Sequence, residues 1–192
     1  MSSSLHQASP PRLDTHGEAV AAAYDPVARF LHRSMALLIV AVFALGLGID
    51  ALPKSWKYAS VEIHKVIGLA ILALLAARIV WRVRHAPPAE TGLSPLVVRA
   101  SHLGHAGLYA LMLAAPAIGL AYVVIRGQGV DFGLFSLPPL TAAFDRAISR
   151  PVKEIHEWAA YGLIGVAAAH ALVAIWHQVV LKDGVLRRML PH

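Results

Sequence analysis

Four stretches of this chain are apolar over the length a helix needs to cross a bilayer: Phe30 to Ile49, Ile63 to Trp81, Leu103 to Ile125 and Trp158 to Leu181. A hydrocarbon core of about 30 Å takes roughly 20 residues at 1.5 Å rise each, and in lipid only helices or closed barrels satisfy every backbone polar group. A soluble protein of 192 residues has no core large enough to hide four such runs. The sequence therefore predicts an all-α integral membrane four-helix bundle. The first run is the weakest, being uninterrupted only from Met35. A cleavable signal peptide is the rival reading of it, but the run lies far from Met1 and no small-x-small pattern follows Ile49.

Lys and Arg counted by side give the orientation. The N-terminal part (Arg12, Arg29, Arg33), the second connection (Arg78, Arg82, Arg84, Arg99) and the C-terminal tail (Lys182, Arg187, Arg188) hold 10, against 7 on the other side (Lys54, Lys57, Lys65, Arg126, Arg146, Arg150, Lys153). Both termini are expected to face the cytoplasm. Because these cations flank apolar runs, the net charge of +6 reads as a topology signal, and the expected partner is membrane lipid rather than nucleic acid. Residues 1–23, rich in Ser, Pro and Ala, read as a disordered tail, which leaves 24–192 as one membrane domain. The connection from Arg126 to Lys153, broken by Gly127, Gly129, Pro138, Pro139 and Pro151, is expected to form a structured cap on the outer surface. Pro116 is expected to kink the third span.

Cysteine is absent, which excludes disulfides, thiolate-held iron–sulfur clusters and covalently attached haem. A metal must rest on His or carboxylate. Ionisable groups inside a span are costly and so are functional candidates by default. His156 and His170 are 14 residues apart, which at about 100° per residue returns to within about 40° of the same face and separates them by about 21 Å along the axis. His64, at the outer start of the second span, is level with His156; His32, at the inner start of the first, is level with His170. Two imidazole pairs follow, His32 with His170 and His64 with His156. Paired imidazoles between facing helices are a standard means of holding haem iron, and filling both axial positions favours electron transfer over binding of small molecules at the metal. Two haem b groups inside the bundle are thus expected.

The alternatives are specific. Interhelical hydrogen bonds account for single intramembrane histidines but require coincidence for four at matched depths. A zinc site fails because His156-Glu157 is followed by Ala160 where H-E-x-x-H needs a second histidine. His102 and His105 share a helix face and compete with His32 for His170, or serve haem propionates or packing. Arg78 and Arg82, one turn apart, are either propionate partners or positive-inside anchors. Gly68, Gly162, Gly165, Ala168 and Ala169 offer room for a flat macrocycle, or are ordinary small-residue packing.

From about Tyr24 to Pro191 the chain resembles the bacterial cytochrome b561 family. The match is carried by Phe30-Leu31-His32, Ile63-His64-Lys65, the string Ser101 to Gly107, Ala115 to Leu120, Lys153-Glu154-Ile155-His156-Glu157 and Leu181-Lys182-Asp183-Gly184. The resemblance implies a dihaem bundle in the bacterial inner membrane, with His32, His64, His156 and His170 as axial ligands. Within the family it points to the members that oxidise superoxide on the outer side and pass the electrons through two haems to ubiquinone, with His177 at the quinone site. His177 lies 7 residues after His170 and continues its stripe, although an interfacial histidine reaching for water fits that position equally. Related subunits anchor hydrogenases and formate dehydrogenases, so an electron conduit for a redox partner protein is the rival function. A haem-free transporter with a histidine relay is the third.

Overall fold

In the computed structural model, which describes residues 23–88 and 94–189, four long helices account for nearly everything. They are α1 (Pro26–Gly48), α2 (Lys54–Arg84), α3 (Pro95–Ile125) and α4 (Arg146–Trp176). Each contains a run apolar enough to cross a membrane. The expected tail falls, apart from Ala23, outside the described residues.

Caps mark the helix starts as short polar side chains should. Asp25 accepts from the Ala28 amide (2.9 Å) ahead of Pro26, Ser94 caps α3 ahead of Pro95, and Asp145 accepts from Ala147 (3.0 Å) to open α4. Burial would raise the Asp25 carboxyl, but the Ala28 amide and the Trp81 indole N–H hold it below the usual range. The helices overrun the apolar runs: α2 begins at Lys54 and α4 at Arg146. Hydropathy sees only the part in hydrocarbon, whereas a helix continues into the polar zone wherever a cap admits it. For the same reason Pro151 does not punctuate the third connection as expected. It lies inside α4, close enough to the helix start to cost one backbone bond without ending the helix. α3 likewise runs unbroken through Pro116.

The connection after α3 carries an antiparallel pair, β1 (Val130–Asp131) with β2 (Ser136–Leu137), in register Val130 to Leu137. Gly129 stands where any side chain would strike the Leu137 carbonyl. This hairpin is pinned to α2 by Glu62, which accepts from the Asp131 amide (2.9 Å), and by Lys65, which donates to the Gly129 carbonyl (3.0 Å). At the other end of the bundle the first and last described segments meet: the Tyr24 amide donates to the Arg188 carbonyl, and Arg33 donates to the Met189 carbonyl. We call these the hairpin end and the terminal end.

Neighbours around the bundle run α1, α2, α3, α4 and back to α1. α4 packs tightly on α3 and only loosely on α1. The core cluster of Met35, Ile39, Ile71, Leu75, Met112, Ala115 and Leu163 lies between the two ends. Outside it, large apolar side chains such as Phe30, Leu37, Leu47 and Leu172 are exposed, a surface that suits acyl chains and would aggregate in water.

Candidate functional site

Each helix turns one stripe inward, and residues spaced by seven recur on it because 700° falls only about 20° short of two turns. The inward stripes read His32, Ile39, Gly46 on α1; His64, Ile71, Arg78 on α2; His105, Met112, Gly119 on α3; and His156, Leu163, His170 on α4. The helices alternate in direction, so these twelve positions form three layers. The middle layer, Ile39, Ile71, Met112 and Leu163, is apolar and buried. The hairpin-end layer holds two histidines and two glycines, and the terminal-end layer holds three histidines and one arginine.

The structure brings together both pairs expected from depth. Ring centres of His64 and His156 are 6.0 Å apart at 81° between planes, and those of His32 and His170 are 6.3 Å apart at 79°. An imidazole nitrogen sits about 2 Å from a first-row metal, so the centres of two rings sharing one metal atom lie roughly 6 Å apart. His105 stands closer to His170, at 5.2 Å, which leaves too little room for a metal on the line between them. His102 is exposed on α3, away from the layer.

At the hairpin end the second ring nitrogen of His156 is already committed. His156 Nδ1 meets the Ala115 carbonyl at 2.8 Å, so Nδ1 carries the proton and Nε2 keeps its lone pair for a metal. Gly119 makes this approach possible, since a Cβ there would lie 2.9 Å from His156 Cε1. The other half of the site repeats the device. A Cβ at Gly46 would lie 3.0 Å from His64 Cε1, and the nearby carbonyl is that of Val42, four residues earlier, as Ala115 is four before Gly119. His64 Nδ1 is buried and, among the described residues, makes no hydrogen bond. Sequence reasoning weighed Gly68, Gly162 and Gly165 as haem space or as ordinary small-residue packing, without deciding between the two. Gly162 faces Leu111, Gly68 faces Pro116, and nothing lies within 4 Å of Gly165. What distinguishes Gly46 and Gly119 is a histidine on the neighbouring helix, which no single-helix pattern displays.

The donor set suits a cofactor that supplies its own equatorial ligands. Among the described residues no three His, Asp or Glu side chains converge on a metal position, so a protein-only zinc site has no support, whereas haem asks the protein for two axial imidazoles alone. Of the four seams around the bundle, the one between α4 and α1 is the least closely packed.

At the terminal end, Arg78 Nε donates to the Tyr109 hydroxyl at 3.0 Å, and its guanidinium acts electrostatically on His32, His105 and His170. Arg82 is exposed one turn on. Beyond α4 the chain makes one π-helical turn, His177–Leu181, and Lys182 takes a left-handed conformation (φ 55°). That reversal carries the Asp183 carboxylate back to accept from the buried His177 Nδ1. Burial would raise the Asp183 carboxyl, but the bonds from His177 and the Val185 amide outweigh it and hold it below the usual range. Beside it opens a cavity of about 260 Å³ lined by Gln178, Lys182, Gly184 and Arg187. Gln178 Oε1 is buried there and unpartnered among the described residues.

Three of the seven cations at the hairpin end are ion-paired. Lys65 pairs with Glu62 at 2.8 Å, Arg150 with Glu154 at 2.9 Å and Lys153 with Glu157 at 3.0 Å.

Comparison with known proteins places this architecture. The sequence model of prokaryotic cytochrome b561 matches residues 23–192. The chain is 30% identical to cytochrome b561 homolog 2 of Escherichia coli over 171 residues, 87% of this chain and 90% of that protein. It is 38% identical over 141 residues to a Yersinia pestis protein named probable superoxide oxidase CybB, covering 72% of this chain and 79% of that one. Cytochrome b561 homolog 1 of Escherichia coli is 32% identical over 132 residues, 68% of this chain and 74% of that protein.

Proposed function

We propose, from the premise that this chain belongs to the prokaryotic cytochrome b561 family and is a multi-pass bacterial membrane haem protein, that it moves single electrons from superoxide at the hairpin end to ubiquinone at the terminal end. The observation that carries the proposal is the pair of imidazole couples, at 6.0 and 6.3 Å, on opposite sides of an apolar layer. His64 with His156 and His32 with His170 would each hold one haem b, which supplies a one-electron relay when bound. With two imidazoles committed to each iron, the bound groups would exchange electrons with oxygen species rather than bind them.

The residues of this chain do the rest. Ala115 and Gly119 orient His156, and the middle layer keeps water from the route between the two levels. Two superoxide ions each give up one electron and leave as dioxygen. One ubiquinone takes both electrons with two protons and leaves as quinol. The quinone site we assign is the cavity beside His177, where Gln178, Lys182 and Arg187 present polar groups and the His177–Asp183 pair is placed to hand on a proton. The superoxide assignment draws its support from the similarity to the Yersinia pestis protein and not from charge, since three of the seven hairpin-end cations, Lys65, Arg150 and Lys153, are held in ion pairs.

Stopped-flow mixing tests both substrates. Superoxide should reduce the haem and ubiquinone should reoxidise it, and haem that superoxide leaves oxidised would remove the donor assignment. His64→Ala and His156→Ala should lose the same haem, and His32→Ala and His170→Ala the other. Retention of both haems in His32→Ala with loss of one in His105→Ala would reassign the terminal pair. An electron conduit for a separate dehydrogenase is favoured by one observation: the connection after α3 exposes Leu134, Phe135 and Leu140, an apolar surface on which a soluble subunit can sit. A soluble protein co-purifying in equal amount would support it.

A further inference from the structure

The two polar layers are built from the same four stripe positions but differ in charge. At the hairpin end the positions that do not supply a paired histidine are Gly46 and Gly119. At the terminal end they are Arg78 and His105. Arg78 lies 14 residues after His64 on α2, as His170 lies 14 after His156 on α4, so it reaches the level of the terminal histidine pair on the same inward stripe. Its Nε is fixed by the Tyr109 hydroxyl at 3.0 Å, and its Cζ lies 5.9 Å from the Tyr109 ring centre. Its Nη1 is buried and, among the described residues, has no hydrogen-bond partner.

A buried guanidinium donor without an acceptor is costly unless something supplies one. Arginine presents a rigid fork matched to carboxylate geometry, and it stays charged at any accessible pH. The group missing from this layer is an anionic acceptor, and haem carries two carboxylates on its edge. At the hairpin end the cation next to the paired histidines, Lys65, is already bound to Glu62 and to the Gly129 carbonyl, so it has no such vacancy.

We infer that Arg78, oriented by Tyr109, is the donor that takes a propionate of the terminal-end haem and makes that haem the higher-potential one of the two. The inference rests on the dihaem reading above. A fixed positive charge in a low-dielectric surrounding stabilises the reduced, less positive iron, and the glycines opposite supply no counterpart at the hairpin end. An electron arriving at the hairpin end then moves downhill to the level where Arg78 sits, nearer the cavity beside His177. The side chain thereby sets where the electron rests between the two substrates, on the haem nearer the quinone, while the superoxide and quinone couples set the net direction.

The test uses the full chain in detergent, with haem counted per chain and both potentials measured by spectroelectrochemical titration. The wild type should titrate as two one-electron waves. In a His64→Ala background the remaining haem should show the higher wave, which assigns it to the terminal end. Arg78→Gln should lower that wave and leave the other in place, narrowing or inverting the gap, and Arg78→Lys should retain part of it. If Arg78→Gln loses the terminal haem and Arg78→Lys restores it, the propionate contact is supported. Equal movement of both waves, movement of neither with two haems retained, or loss of haem from both variants would overturn the inference. A wild-type protein with fewer than two haems would instead sink the dihaem reading beneath it.

Discussion

Gly119 is where a single atom decides whether a ligand can form. Its missing Cβ lets His156 reach the Ala115 carbonyl, and that bond fixes both the tautomer and the plane of the ring. Gly119→Ala inserts a methyl 2.9 Å from His156 Cε1, and neither the helix backbone nor a ring bonded at its far side can yield cheaply. Overpacking of this kind costs about 1–3 kcal/mol. The expected outcome is loss of the hairpin-end haem, so that the measured content falls from two per chain to one, with a lowered Tm. Gly107→Ala, on the same helix with nothing within 4 Å, should keep both haems. The four paired histidines were legible from sequence because 3.6-residue periodicity and span direction together give face and depth. Gly46 and Gly119 were not, because their role exists only relative to a ring on another helix. Arg78 was legible as a candidate, but nothing in the sequence favours propionate partner over anchor; the proposal that it is the former rests on the burial of Nη1.

At the scale of elements, the spans could be read from hydropathy and their true ends could not. α2 and α4 extend past the apolar runs because Pro53 and Asp145 start them in the polar zone, and α4 absorbs Pro151 on the way. The end of α4 was equally hidden. A π-helical turn followed by a left-handed lysine has no periodic signature, yet it is what returns Asp183 to His177. The Asp183 carboxyl is depressed in the folded chain, so its contribution to stability is present at neutral pH and is lost as the pH falls through that lowered value. The unfolded carboxyl titrates near about 3.9. The protection of the Val185 amide, which donates to Asp183 Oδ1 at 3.2 Å, measured as its exchange rate relative to the unfolded chain at the same pH, should therefore hold from neutral pH down through the ordinary carboxylate range and fall only below it. Asp183→Asn keeps the shape but no longer offers Nδ1 a charged acceptor, and should weaken ubiquinone reduction while superoxide still reduces the haem.

For the molecule as a whole, direction of electron flow has meaning only if the two ends face different compartments. The bond from Tyr24 to Arg188 puts the first and last described segments at one end of the bundle and the β-hairpin at the other. Lys and Arg favour the terminal end by 10 to 7, with Arg78, Arg82 and Arg84 clustered beside one span, and such clusters are retained on the cytoplasmic side. The chain has no cysteine, so the native protein is its own blank for thiol labelling. Leu134, 98% exposed at the hairpin tip, and Ala86, exposed in the connection after α2, are positions where a cysteine disturbs no packing. In intact cells a membrane-impermeant maleimide should label Leu134→Cys and spare Ala86→Cys until the membrane is opened. The reverse pattern would place His64 and His156 toward the cytoplasm. Superoxide formed outside would then meet the Arg78 end first, and the step from that haem to the other would run uphill.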